Sequence, residues 1–121
     1  MALFGNAHTV NPGQAQQDYA RLLGHGEQVQ AAYQLIRDTI IFTDRRLLLV
    51  DKQGITGRKT EYHSIPYRSI THFAVETAGT FDLDAELKIW ISGMPAPVEK
   101  TFTKGVDIYE VQGILTQFVA R

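Results

Sequence analysis

FDLDAELKIWI, residues 81–91, alternates apolar and polar side chains more regularly than any other part of the chain. Successive side chains on a β-strand point to opposite faces of the sheet, so this period of two predicts a strand with one buried face. The apolar positions are Phe81, Leu83, Ala85, Leu87, Ile89 and Ile91. The opposite face is polar except at Trp90, the only tryptophan of the chain.

Further strand signals lie on both sides of this stretch. They are short apolar or alternating runs, separated by turn residues, at about 29–35, 38–42, 47–50, 58–65, 70–76 and 98–103. Roughly seven strands at this spacing are typical of an antiparallel sandwich or barrel. The residues before the first of them predict a frayed arm and then a helix over about 12–23, because Asn11-Pro12 combines an N-cap residue with proline at the first helical position.

The C-terminal segment has the pattern of an amphipathic helix. Asp107 followed by Glu110 is an acidic variant of a capping box, and Val106 and Val111 stand at the positions of a hydrophobic staple. The residues predicted to share the buried face are Ile108, Val111, Leu115 and Phe118. Such a helix can cap one end of a sandwich.

This order of strands and helix resembles the pleckstrin-homology (PH) superfold. Several stretches are similar to the bacterial PH-domain family of small stand-alone proteins, namely YQLIRD (33–38), TDRRLLLVDKQG (43–54), SIPY (64–67), FDLDAELKIWISG (81–93) and KGVDIYEV (104–111). The resemblance implies a mainly β fold: a PH-like antiparallel sandwich, or partly open barrel, of about seven strands with a C-terminal helix and a short N-terminal helix. Residues 1–26 are expected to be an arm and short helix packed on a PH-like domain at 27–121. The resemblance also implies a non-enzymatic module that associates with itself into rings.

Composition limits the functional classes. With 44% hydrophobic and 21% charged residues the chain is expected to fold as a globular protein, and its net charge of −1 argues against a nucleic-acid binder. Cysteine is absent, which excludes disulfides and thiolate chemistry. Neither a signal peptide nor an apolar run of bilayer length is apparent, so the expected location is the cytoplasm.

The sequence predicts no catalytic, metal or cofactor site. Ser64 follows His63 directly, so on a strand their side chains would point to opposite faces. Asp82, Asp84 and Glu86 share a face, but neighbours on it are about 7 Å apart, which is too wide to hold one cation without ligands from a loop.

The charges are unevenly distributed along the chain. Residues 37–68 hold seven basic and four acidic side chains, whereas residues 69–99 hold one basic and five acidic ones, giving +3 and −4. In a PH-like sandwich the early and late strands form different sheets, so we expect outer faces of opposite sign. Such faces favour head-to-tail contact between copies and a homo-oligomer larger than a dimer.

Two surfaces are candidates for binding. Trp90, together with Asp84, Glu86 and Lys88, is a candidate interface, since tryptophan is enriched at the centres of interfaces. The alternative is that the N-terminal helix covers the indole.

The second candidate is a basic rim that binds anions or lipid, formed by Arg45, Arg46, Lys52, Arg58 and Lys59. Two functions therefore remain open. The first is a self-associating module that binds a protein or peptide, and the alternative is a peripheral binder of anionic membrane lipid.

Overall fold

Two antiparallel sheets and two helices make up the fold. The computed structural model describes residues 8–53, 59–77, 84–103 and 105–120. In chain order the elements are β1 (His8–Val10), α1 (Pro12–Asp18), a 3₁₀ turn (Ala20–Leu22), β2 (Val29–Gln34), β3 (Asp38–Thr43), β4 (Arg46–Gln53), β5 (Lys59–Pro66), a second 3₁₀ turn (Tyr67–Ser69), β6 (Ile70–Thr77), β7 (Ala85–Ile91), β8 (Val98–Phe102) and α2 (Ile108–Val119).

Within each sheet, every strand pairs with its neighbour in the chain. The first sheet has the order β1-β2-β3-β4-β5 and the second has the order β6-β7-β8, and every pairing within them is antiparallel. The two sheets do not close into a barrel. This arrangement confirms the predicted PH-like fold with its C-terminal and short N-terminal helices.

The N-terminal arm contains a strand that the sequence pattern did not indicate. His8 pairs with Gln34 and Val10 pairs with Ala32, so residues 8–10 add a fifth strand to the first sheet. The prediction of a frayed arm is therefore wrong for these residues, while residues 1–7 lie outside the described part. A three-residue strand that depends on pairing with β2 has too little alternation of its own to be recognised.

The main hydrophobic core lies between the two sheets and α2. Phe42 and Leu47 from the first sheet, Leu87 and Ile89 from the second, and Leu115 from α2 are completely buried. The alternation predicted for β7 therefore identified its core face correctly, although Phe81 and Leu83 lie outside the described residues.

A second cluster lies on the opposite face of the first sheet, beneath α1. Ala15 is buried there against Ile41, Leu48 and Val50, with Leu22 and Leu23 at its margin. Because β4 is covered on both faces, its apolar run forms a central strand, as predicted.

The N-terminal helix is shorter than predicted. Asn11 caps it by accepting a hydrogen bond from the backbone N–H of Gln14, but the helix ends at Asp18 and a 3₁₀ turn follows. A bulge in β2 also breaks the predicted alternation. It places Val29 on the α1 side of the sheet, whereas Tyr33 faces the main core.

Glu27 is a buried carboxylate that joins the N-terminal segment to the first sheet. Its oxygens accept hydrogen bonds from Arg46 at 2.9 and 3.0 Å, from the Thr43 hydroxyl at 2.6 Å and from the Gly24 N–H at 2.8 Å. The same guanidinium donates to the carbonyl of Leu22 at 2.6 Å. Burial opposes ionisation of Glu27, but these hydrogen bonds and the charge of Arg46 outweigh it and lower the pKa to about 2.

The start of α2 differs from the predicted capping box. Asp107 is the N-cap, as predicted, and accepts from the N–H of Tyr109. Glu110 instead accepts the hydroxyl of Tyr33 at 2.5 Å. Burial is the largest cause that raises the pKa of Tyr33, and the hydrogen bond to Glu110 is the next. The hydroxyl therefore stays protonated and donates this hydrogen bond. The acidic side chain thus satisfies a core tyrosine rather than the helix backbone.

Neither helix in the described part of the chain is long and apolar enough to span a bilayer.

Candidate functional site

The outward side of the second sheet brings together the residues predicted as an interface. On β7, Leu87 and Ile89 point into the core, so Glu86, Lys88 and Trp90 point away from it. Asp84 is exposed immediately before the strand. We call this surface the outer face; it also includes Glu76 and His72 of β6 and Glu99 and Thr101 of β8.

Trp90 is not covered by the N-terminal helix, because α1 packs on the first sheet. The imidazole of His72 stacks on the indole instead, with ring centres 4.3 Å apart and an interplanar angle of 16°. An irregularity in register between Ile70 and His72 makes this possible, since Ile70 faces the core and His72 faces outward. The indole is half-buried and belongs to neither hydrophobic cluster.

The outer face is predominantly acidic. Its described charges are four carboxylates, from Glu76, Asp84, Glu86 and Glu99, and one ammonium, from Lys88. Lys88 lies 2.7 Å from Glu76 and 4.0 Å from Glu99, and the hydrogen bond that its ammonium donates to Glu76 raises the pKa of Lys88.

Two of the carboxylates form no ion pair within the described ranges. Glu86 accepts a long hydrogen bond of 3.3 Å from Thr101 and interacts with the charge of Lys88 from beyond ion-pair distance, and Asp84 has no hydrogen bond or ion pair there. A shallow cleft of about 540 Å³ lies beside them.

The charge asymmetry of the sequence corresponds only in part to the two sheets. Strands β6 and β7 and the start of β8 carry three acidic side chains and one basic one, part of the acidic excess of residues 69–99. Strands β3 to β5 carry three basic and three acidic side chains, so the basic excess of residues 37–68 lies in the connecting residues, which include Arg37, Arg45 and Arg68. The outer side of the first sheet is an apolar cluster beneath α1, so the expected basic outer face is not found there among the described residues.

The predicted basic rim is not one surface. Arg45 and Arg46 lie at the β3–β4 turn, whereas Lys52 and Lys59 lie at the other end of β4 and β5, about 20 Å away by the rise of a strand. Arg58 lies outside the described residues. Arg46 is moreover paired with the buried Glu27.

A different residue joins Arg45 near the β3–β4 turn. The pairing of Arg46 with Pro66 brings the end of β5 beside this turn, so that Arg68 lines the same groove of about 350 Å³ as Arg45. Phe118 from α2 lines it as well. We call this surface the arginine groove.

A cleft between the two sheets contains a pair of carboxyl groups. Lys100 of β8 donates to Asp38 of β3 at 2.9 Å, and Asp51 pairs with Asp38 across the first sheet. The largest cause that raises the pKa of Asp51 is a hydrogen bond with Asp38, followed by burial and by the charge of Asp38. The charge of Lys100 lowers this pKa by a smaller amount, and that of Glu61 adds to the rise.

We expect Asp51→Asn to raise the melting temperature at pH 7. A carboxyl whose pKa is raised by folding contributes stability below its ordinary pKa and loses it as pH rises through the folded pKa. An amide can keep the hydrogen bond to Asp38 without the charge. Thermal melts of both proteins from pH 4 to pH 8 should therefore diverge toward neutral pH. A variant less stable than wild type at pH 7 would show that the ionised carboxyl is the favoured partner of Asp38.

The comparisons with known proteins agree with this fold. The family described as "Bacterial PH domain" matches residues 1–119. Uncharacterized protein YjqA of Bacillus subtilis is 59% identical over 114 residues, which cover 93% of this chain and 91% of that protein.

Solved structures show the same similarity. A DUF1696 family protein with a pleckstrin-homology domain from Shewanella loihica superposes with a TM-score of 0.85 at 51% identity, covering 95% of this chain and 98% of that one. A pleckstrin homology domain from Shewanella amazonensis gives 0.80 at 49% identity, covering 97% and 94%. The chain belongs to the bacterial PH-domain family.

Proposed function

We propose that the chain is a non-catalytic PH-like interaction module that associates with itself through the outer face of the second sheet. The observation that carries this proposal is the position of Trp90. Its indole lies outside both hydrophobic clusters, on the solvent side of the sheet. Tryptophan buries a large area on contact and is enriched among the residues that dominate binding energy.

The surroundings of Trp90 also favour an interface. His72 stacks on the indole and the nearby Lys88 is held between two carboxylates, so the centre of the face is already ordered. Ordered side chains lose less entropy on binding. Among the described residues β6 and β8 are the edge strands of the second sheet, and the free edge of such a strand can pair with the backbone of a protein or peptide partner.

Family membership supports the non-catalytic part of the proposal, because PH domains are generally binding modules rather than enzymes. The separation of Arg45 from Lys52 and Lys59 favours protein contact over lipid contact, since these cations do not form one basic surface that a membrane could meet.

The assembly is proposed to contain more than two copies. The acidic outer face opposes a symmetric contact with itself, because two copies of it would bring together eight carboxylates and two lysines from the described residues alone. Contact with a different surface of the next copy is heterologous, and repetition of such a contact closes into a ring when the rotation allows.

Trp90→Ala should weaken this assembly. We expect light scattering after size exclusion to show an oligomer for wild type and, at the same micromolar concentration, a lower average mass for the variant, because truncation of a central tryptophan commonly weakens binding by at least tenfold. High salt should lower the mass more modestly. The matched control is Tyr109→Ala, which removes an exposed aromatic ring from α2. An unchanged mass for Trp90→Ala would reject Trp90 as the anchor.

A further inference from the structure

We propose that the arginine groove is the surface that receives the outer face of the next copy of the chain. This inference rests on the proposed function and deepens it, because it identifies the second half of the contact. The ligand class is an acidic protein surface with an indole at one end.

The groove presents cations without carboxylate partners. Arg68 is exposed and makes no hydrogen bond or ion pair with any residue that the structure describes. The guanidinium of Arg45 donates to the carbonyl of His25 at 2.8 Å and forms no ion pair with a described residue. Asp44 also lines the groove, but its carboxylate accepts the backbone N–H of Gln28. The groove therefore has a net positive charge.

The groove also has an apolar wall. Phe118 stacks face to face on Tyr67, with ring centres 4.8 Å apart and an interplanar angle of 8°. The Tyr67 hydroxyl donates to the carbonyl of Thr43 at 2.6 Å, which fixes this pair of rings. Pro66 is exposed beside it. A rigid wall of this kind suits contact with an indole, and a guanidinium at its edge adds a cation–π attraction.

The outer face carries the complementary groups in one row. Trp90 and Glu86 project from the same side of β7 about 13 Å apart by the rise of the strand, and Asp84 continues the row. Asp84 and Glu86 are the two carboxylates of this face that form no ion pair within the described ranges. Pairing them with Arg45 and Arg68 would form ion pairs that neither surface makes within one protomer, with the indole against the apolar wall.

The two surfaces belong to different parts of one protomer. The arginine groove lies where the β3–β4 turn, the end of β5 and the end of α2 meet, whereas the outer face is the exposed side of β6, β7 and β8. A protomer can therefore use both surfaces at once, which is the requirement for a head-to-tail chain of copies.

Mixing two one-sided variants tests this pairing. Arg45→Glu/Arg68→Glu removes the groove and keeps the outer face, whereas Glu86→Lys/Trp90→Ala removes the face and keeps the groove. Each alone is expected to be monomeric. Their equimolar mixture retains one complementary contact, so light scattering should give about twice the 13.6 kDa of one chain and no larger species.

Controls separate the possible failures. Lys52→Glu reverses an exposed charge at the far end of β4 and should leave the wild-type mass unchanged. Arg68→Glu alone removes no contact within the described residues, so it should fold normally and still lower the mass. A wild-type mass for both arginine variants, or a mixture that stays monomeric, overturns the groove as the receiving surface. A monomeric wild-type protein overturns the proposed function itself.

Discussion

Glu27→Ala is expected to lower the free energy of unfolding by about 3 kcal/mol, the low end of the range for breaking a buried ion pair. The side chain of Glu27 is 2% exposed and that of Arg46 is 22% exposed. Removing the carboxylate leaves this guanidinium without its anionic partner and the N–H of Gly24 without its acceptor. The loss should be visible in a urea denaturation curve as a lower midpoint with an unchanged slope.

The stability of the same variant should fall less at low pH than the stability of wild type. Folding lowers the pKa of Glu27 to about 2, so its contribution is present above the ordinary glutamate pKa and is lost as pH falls toward the folded value. The difference in stability between wild type and Glu27→Ala should therefore shrink between pH 5 and pH 2. Asp18→Ala is the control, because it removes an exposed carboxylate from α1. A Glu27→Ala protein as stable as wild type at pH 7 would show that the buried network does not hold the N-terminal segment in place.

Leu115→Ala is expected to cost about 2–5 kcal/mol, the usual range when a buried leucine is truncated and a cavity remains. Leu115 is completely buried, in the same cluster as Val111 of α2 and Phe102 of β8. For a domain of about 5–15 kcal/mol total stability this is a large fraction. The melting temperature measured by circular dichroism should fall by many degrees.

Gln117→Ala provides the matched control on the same helix, where the side chain is exposed. It should leave the melting temperature within about 2 °C of wild type, because surface substitutions usually change stability by no more than about 0.5 kcal/mol. A fall of less than about 2 °C for Leu115→Ala would show that the buried face of α2 is assigned wrongly.

Much of this fold follows from short-range patterns in the sequence. The alternation of β7 identified both its core face and the outward position of Trp90, because side-chain direction on a strand depends only on the residue count. The same reasoning failed at Val29, where one bulge reverses the face. It also missed β1, whose three residues depend on pairing with β2 rather than on a pattern of their own.

The groups that satisfy buried polar atoms were harder to predict. Glu110 has the spacing of a capping box, and only the packing of α2 on the core brings it to the hydroxyl of Tyr33. Glu27 and Arg46 are 19 residues apart, and no local pattern indicates that they meet. Such pairs are decided by tertiary structure.

The two candidate surfaces differ in the same way, since a local pattern predicted one of them and tertiary structure decided the other. The outer face was predicted because Glu86, Lys88 and Trp90 lie on one strand. The basic rim was inferred from nearness in sequence, yet an antiparallel pair of strands carries Lys52 away from Arg45 and returns the chain to it only near Arg68. The register of β4 with β5 therefore determines which cations share a surface.

The mass of the wild-type chain in solution tests the central claim of self-association most directly. Size exclusion with light scattering, repeated over micromolar concentrations at low and high salt, should give a mass greater than twice 13.6 kDa, and this mass should fall on dilution and modestly with salt. A mass of 13.6 kDa at every concentration would contradict the claim.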